Sequence, residues 1–136
     1  MDASDDPMPE ENLERTLGMQ GFAVAGDGVA RGTMVVSQRI KQPFGIVHGG
    51  AYAALAESVT SMATYEAVGP ERGAFGQSNQ TTFLRPVSAG TIEAVARARH
   101  RGRTSWVWDV EMRDAEGRLC AISRLIIAVR SLEGSY

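Results

Sequence analysis

The sequence predicts an α+β fold in which one long central helix is wrapped by a single curved antiparallel sheet, and three observations predict it. First, the segment from Gly50 to about Val68 is rich in alanine and carries Leu55, Val59, Met62 and Tyr65, so it is apolar on most sides. It stops at Gly69-Pro70, the punctuation of a helix end. Second, four later segments, Gly76 to Val87, Thr91 to Arg101, Ser105 to Arg113 and Leu119 to Val129, have strand length. They are separated by Ser88-Ala89-Gly90, Gly102 and Asp114-Ala115-Glu116-Gly117, which is turn chemistry. Third, a lone apolar helix must be covered, and short turns make antiparallel pairing the default. The strands are therefore expected to run as a meander around the helix.

The elements before the helix are weaker in pattern. Residues 1–9 form an acidic, proline-punctuated tail that is expected to be flexible, and residues 10–136 are expected to form one domain. Glu10 to Leu17, closing at Gly18, reads as a short helix with acidic residues in its first turn. After the Gly26-Asp27-Gly28 turn, Val29 to Ile40 lacks helical periodicity and reads as a strand.

Composition narrows the function classes. A net charge of −2 makes nucleic acid a poor main partner. Cys120 is the single cysteine, so no intrachain disulfide can form, and two widely separated histidines supply no zinc ligand set, so no metal is expected. No apolar run reaches the roughly 18 residues of a membrane span, and the N-terminus is acidic where a signal peptide would be basic. The expectation is a cytoplasmic protein with no membrane partner.

The chemistry concentrates in Gln42-Pro43-Phe44-Gly45-Ile46-Val47-His48-Gly49-Gly50, which leads directly into the helix carrying Glu57. The first N–H groups of a helix lack intrahelical partners and lie at the positive end of its dipole. An oxyanion at Gly49 would find donors there, worth about 3 kcal/mol when aimed at developing charge. Read alone, the glycine pair is better taken as a tight entry turn. Glu57 shifts the balance, because a carboxylate inside an apolar helix needs a partner or a task, and its wheel neighbours Ala53, Ala54, Thr60 and Ser61 are small. Glu66, half a turn round the wheel, reads as a solvated surface residue.

Eight residues separate Gly49 from Glu57, which is roughly 12 Å of helix. One chain cannot put both groups on one small carbonyl. If both act on the same atom, Gly49 of one subunit must meet Glu57 of another across a twofold axis.

Gln42-Pro43-Phe44-Gly45, His48-Gly49-Gly50 and Ala54-Leu55-Ala56-Glu57-Ser58 together resemble the hotdog-fold thioesterases, in the 4-hydroxybenzoyl-CoA thioesterase branch that uses glutamate. The likeness extends through Asn79-Gln80-Thr81-Thr82-Phe83-Leu84-Arg85-Pro86 and Gly90-Thr91-Ile92. It implies an acyl-CoA thioesterase of a dimer or a dimer of dimers, with active sites at subunit interfaces. In that resemblance the Gly49 N–H polarises the thioester carbonyl and Gln42 assists. Glu57 of the opposing subunit is nucleophile or general base, Ser61 orients water, and His48 positions the loop. Such a reaction needs no triad, since the leaving thiolate has a thiol pKa near 8.5 and departs without strong acid help. No cofactor is implied beyond the coenzyme A of the substrate.

Arg97, Arg99, Arg101 and Arg103 recur every second residue, so a continuous strand would place all four on one face. The resemblance implies coenzyme A contacts at Gly50, Arg103, Thr104, Ser105 and Arg85, while Arg97 and Arg99 read as a solvated strand face. Phe44, Met62, Tyr65 and Phe75 either line an acyl pocket or pack the core. A non-catalytic acyl-CoA-binding protein and a hotdog dehydratase are the competing readings. The second would need a catalytic histidine in a proline-glycine-rich motif that the chain lacks.

Overall fold

The computed structural model describes residues 11–132, so the expected flexible tail at residues 1–9 lies outside the described residues. The elements in chain order are α1 (Leu13–Thr16), β1 (Met19–Ala25), β2 (Val29–Val35), a 3-10 turn at Gln38–Ile40, α2 (Gly49–Val68), β3 (Arg72–Phe83), β4 (Thr91–Arg101), β5 (Ser105–Arg113) and β6 (Leu119–Ser131). The strands form one antiparallel sheet of order β1-β2-β4-β5-β6-β3, with α2 packed against it. This is the hotdog arrangement that the sequence resemblance implies.

α2 starts and stops for local reasons. His48 is its N-cap, with Nδ1 accepting from the Gly50 N–H at 2.8 Å. At the other end Gly69 takes φ +90° and Pro70 prevents continuation. Between them Tyr52, Leu55, Ala56, Val59, Thr60, Ala63 and Thr64 are buried against the sheet, meeting Met34, Ile92, Trp108, Met112, Leu125 and Ile127 in the core. Each large apolar side chain so buried contributes about 2 kcal/mol. The two buried threonines satisfy themselves: Thr60 and Thr64 donate to the carbonyls of Ala56 and Thr60, and Trp108 Nε1 donates to Thr64 Oγ1 at 2.9 Å. Thr60 therefore turns into the core and is not part of a small-residue stripe beside Glu57. Toward the β3 edge, α2 carries Glu57 and Tyr65 exposed and Ser61 and Met62 half-buried, so this face is only partly covered by the chain's own sheet.

Three expectations are corrected, and one strand is added. The strands do not run as a simple meander: β4, β5 and β6 do, but β3 pairs with β6 rather than with β4 and becomes an edge. A short turn can only join neighbours, whereas residues 84–90 are long enough to carry the chain across the sheet. Met19–Ala25 is a strand, the other edge, that the pattern did not reveal; its residues after Met19 are mostly exposed, so no apolar alternation marks it. The strand expected to reach Ile40 ends at Val35. The first helix is a single turn, because the Asn12 side chain accepts from Arg15 N at 2.9 Å and starts the helix there.

Candidate functional site

The loop before α2 is built to present Gln42. Gly45 N–H donates to the Gln42 carbonyl at 2.9 Å, and Gln42 N–H to the Ile46 carbonyl at 2.9 Å, which closes a tight turn with Gly45 at φ +83°. The Phe44 N–H donates to Gln42 Oε1, so the amide NH2 is the end left for a ligand. Gln42 lies in the same cleft as Gly49, Tyr52, Phe83, Arg85 and Pro86, with a volume of about 440 Å³.

At the helix start, capping separates the two glycines. His48 Nδ1 takes the Gly50 N–H, while the Gly49 N–H, first of the helix, has no acceptor among the described residues. The bond requires a lone pair on Nδ1, so the neutral ring carries its proton on Nε2. A side chain at position 49 would put its Cβ 2.7 Å from the Phe83 ring, so glycine lets the ring close over the helix end. Phe83 also packs on Tyr52, with ring centroids 6.0 Å apart. Burial pushes the Tyr52 phenol above its ordinary range, so it stays neutral, and its hydroxyl has no hydrogen-bond partner among the described residues. Cys120 is buried in β6, its Sγ donating to the Met112 carbonyl, and burial raises the thiol; it is inert packing rather than a nucleophile.

Glu57 is not in this cleft. It sits two turns along α2 on the partly covered face, against β3 where the strand bulges between Gly76 and Ser78. A Cβ at Gly76 would lie 2.6 Å from the Glu57 carboxyl carbon, so strand and carboxylate are in direct contact. Asn79 Nδ2 reaches Glu57 Oε1 at 3.4 Å and donates to the Ala53 carbonyl at 2.9 Å. Ser61 follows Glu57 by one turn on the same face and is half-buried.

The arginines divide. A β-bulge at Arg99 shifts the β4–β5 register between Ala98 and His100, so the four do not share a face. Arg99 turns outward to Asp109, which also accepts two bonds from Arg124 and is held below the usual carboxylate range by Arg124 first. Arg101 pairs with Trp106 and lines a cleft with Glu66. Arg103 and Thr104 lie at the β4–β5 turn in a cleft of about 670 Å³ shared with Arg72 and Arg130. Arg72 donates to the Arg103 carbonyl and Arg130 to that of Thr104, and no carboxylate lines the cleft. Ser105 is not on that wall; its carbonyl accepts from Gly102 N at 2.9 Å and closes the turn. Arg85 belongs to the Gly49 cleft instead. Arg72 and Arg130 carry no local signal: they meet because β3 and β6 are paired there, Gly73 opposite Arg130.

Comparison with known proteins agrees with the fold. The family model described as the thioesterase superfamily matches residues 44–121. The chain is 38% identical to 1,4-dihydroxy-2-naphthoyl-CoA hydrolase of Escherichia coli, covering 90% of this chain and 89% of that protein. It is 41% identical to the proofreading thioesterase EntH of Cronobacter turicensis over 86% and 85% of the two chains. Among solved structures, a thioesterase of Haemophilus influenzae superposes with a TM-score of 0.86 at 32% identity, covering 93% of this chain and 88% of that one. No helix among the described residues is long and apolar enough to cross a membrane. The chain belongs to the thioesterase superfamily and is a thioester hydrolase of the hotdog fold.

Proposed function

We propose that the protein hydrolyses aromatic or short- to medium-chain acyl-CoA thioesters in the cytoplasm, as a homo-oligomer whose active site combines Gly49 of one subunit with Glu57 of its partner. The carrying observation is the split: Gln42 and the Gly49 N–H share one cleft, and Glu57 stands about 12 Å further along the same helix on a partly covered face. A second copy supplies what is missing. β3 is an unpaired edge twelve residues long, and Tyr65, Phe75, Phe83 and Leu84 around it are exposed apolar residues that a single chain leaves in water.

In this reading the carbonyl oxygen lies on the Gly49 N–H, with the Gln42 amide beside it, and the carbon becomes open to attack. Glu57 either takes the proton of a water held by Ser61 or attacks the carbon itself. In the first route the C–S bond then breaks, the acid keeps the water oxygen, and the proton ends on the coenzyme A sulfur; in the second the C–S bond breaks to leave an acyl–Glu57 anhydride, which water cleaves to the acid and the free carboxylate, a proton of that water ending on the coenzyme A sulfur. His48 holds the helix start and leaves the Gly49 donor available. Gly50, whose own N–H is occupied by that cap, lies against the ligand as backbone only.

The coenzyme A phosphates are assigned to Arg103 and Thr104 with Arg72 and Arg130. This cleft is at the Glu57 end of β3, four residues or roughly 13 Å from Gly76, whereas Phe83 beside Gly49 is roughly 36 Å away along the strand. The subunit giving Glu57 would thus also hold the nucleotide, while Arg85 works at the Gly49 end. The test is coenzyme A release from a panel of aromatic, short-chain and long-chain esters by wild type and Glu57→Ala. Turnover lost in the variant supports the reading and names the acyl class; undiminished turnover overturns it.

A further inference from the structure

Asn79 sits in a chain of hydrogen bonds whose direction is fixed by chemistry. Its amide nitrogen faces the Ala53 carbonyl at 2.9 Å, and a carbonyl can only accept, so the NH2 must point at the helix. The same NH2 reaches Glu57 Oε1 at 3.4 Å. That is longer than the usual N–H···O range, so the carboxylate is the weaker of the amide's two acceptors. On the other side, Thr81 Oγ1 donates to Asn79 Oδ1 at 2.8 Å. Thr81's one hydrogen being thus used, its 2.7 Å contact with the buried Ser123 hydroxyl has Ser123 as donor. The relay therefore runs from Ser123 to Thr81 to Asn79 to Glu57, each member polarising the next.

We propose that Asn79 is a positioning residue for the hydrolysis, aiming the Glu57 carboxylate, with Thr81 and Ser123 keeping the amide the right way round. The inference rests on the reading of Glu57 as the reacting carboxylate. The surroundings make Asn79 the natural holder. Among the described residues it is the one side chain that donates to Glu57, and no charged side chain forms an ion pair with it. Glu14, from α1, binds the neighbouring Ser58 at 3.1 Å and not Glu57. On β3 the closest approach to the carboxylate is the bare backbone of Gly76. Fixing a charged acceptor with a neutral donor leaves its negative charge available for chemistry, which an arginine in the same place would quench.

The bond made at the carboxylate sets its direction and not the affinity for substrate, so its loss is felt in kcat and not in KM. Asn79→Leu, Asn79→Asp and Thr81→Val are compared with wild type and Glu57→Ala in kcat, KM and thermal unfolding. The expected result for Asn79→Leu is a kcat at least tenfold lower with KM within about twofold. Asn79→Asp, which keeps the shape but sets acceptors against Glu57 and the Ala53 carbonyl, should lower kcat at least as far, and Thr81→Val should fall between Leu and wild type. If Asn79→Leu does not fold, the other two near-isosteric variants decide. Wild-type kcat in folded Asn79 and Thr81 variants, with Glu57→Ala inactive, would overturn this inference alone. Full activity of Glu57→Ala would remove the reading of Glu57 and the inference with it.

Discussion

Gly76 and Glu57 are packed so closely that a methyl group at position 76 would lie 2.6 Å from the Glu57 carboxyl carbon and 2.8 Å from its Oε2. The side chain that must yield is the exposed end of a flexible glutamate, so it can swing away at little cost. Gly76→Ala is expected to change stability by under about 1 kcal/mol while lowering kcat at least tenfold. Thermal unfolding and acyl-CoA turnover measured on one preparation check this; full turnover would mean that the carboxylate is not needed where it stands.

A site shared between subunits permits complementation. Gly49→Val places a branched side chain where even a Cβ meets Phe83 at 2.7 Å, and Glu57→Ala removes the carboxylate. Each variant alone should be inactive. Co-expressed, half of randomly formed dimers would pair the two chains, and each such dimer has one intact and one doubly altered site. Activity should return to about a quarter of wild type. No recovery would place both groups in one chain's site.

The three-arginine cleft should be felt through the nucleotide alone. Arg72 and Arg103 approach it without a neutralising carboxylate, and a charge-assisted bond to phosphate is worth about 1.5–3 kcal/mol. Arg103→Ala and Arg72→Ala should therefore raise KM for acyl-CoA about tenfold or more. The corresponding acyl-pantetheine, which has no nucleotide, should be hydrolysed as by wild type. Equal losses on both substrates would contradict the assignment.

Asp114 offers a stability test away from the site. Burial would push its carboxyl up, but the Arg118 N–H at 2.9 Å, the Arg118 guanidinium at 2.8 Å and the Glu116 N–H at 3.0 Å together hold it below the usual range. The folded state then binds protons less readily than the unfolded state. The carboxylate's contribution is present above the unfolded pKa, near 4, and is lost as pH falls through the lower folded value. Asp114→Asn should unfold at lower temperature than wild type at pH 7, with the difference narrowing below about pH 4. A gap that stays constant with pH would show that charge is not what the turn uses.

The sequence by itself determined the helix, its ends, and the distance between the two proposed site residues. α2 begins one residue before the expected Gly50 and ends at Val68, and β4 and β5 keep the boundaries their turns imply. These features are local: glycine, proline and apolar spacing act over a few residues. The separation of Gly49 from Glu57 was equally legible, because helical rise is fixed. What only the tertiary structure decided is which strands meet. The placement of β3 beside β6 brings Arg72 to Arg130 and Asn79 through Thr81 to Ser123, residues whose partners lie about fifty positions away in the chain. One extra residue at the Arg99 bulge likewise undid a four-arginine stripe, since side chains alternate faces with period two and a single insertion reverses every residue after it. Pairing and register are set by the sum of contacts over the whole sheet, and no short window of sequence contains that sum.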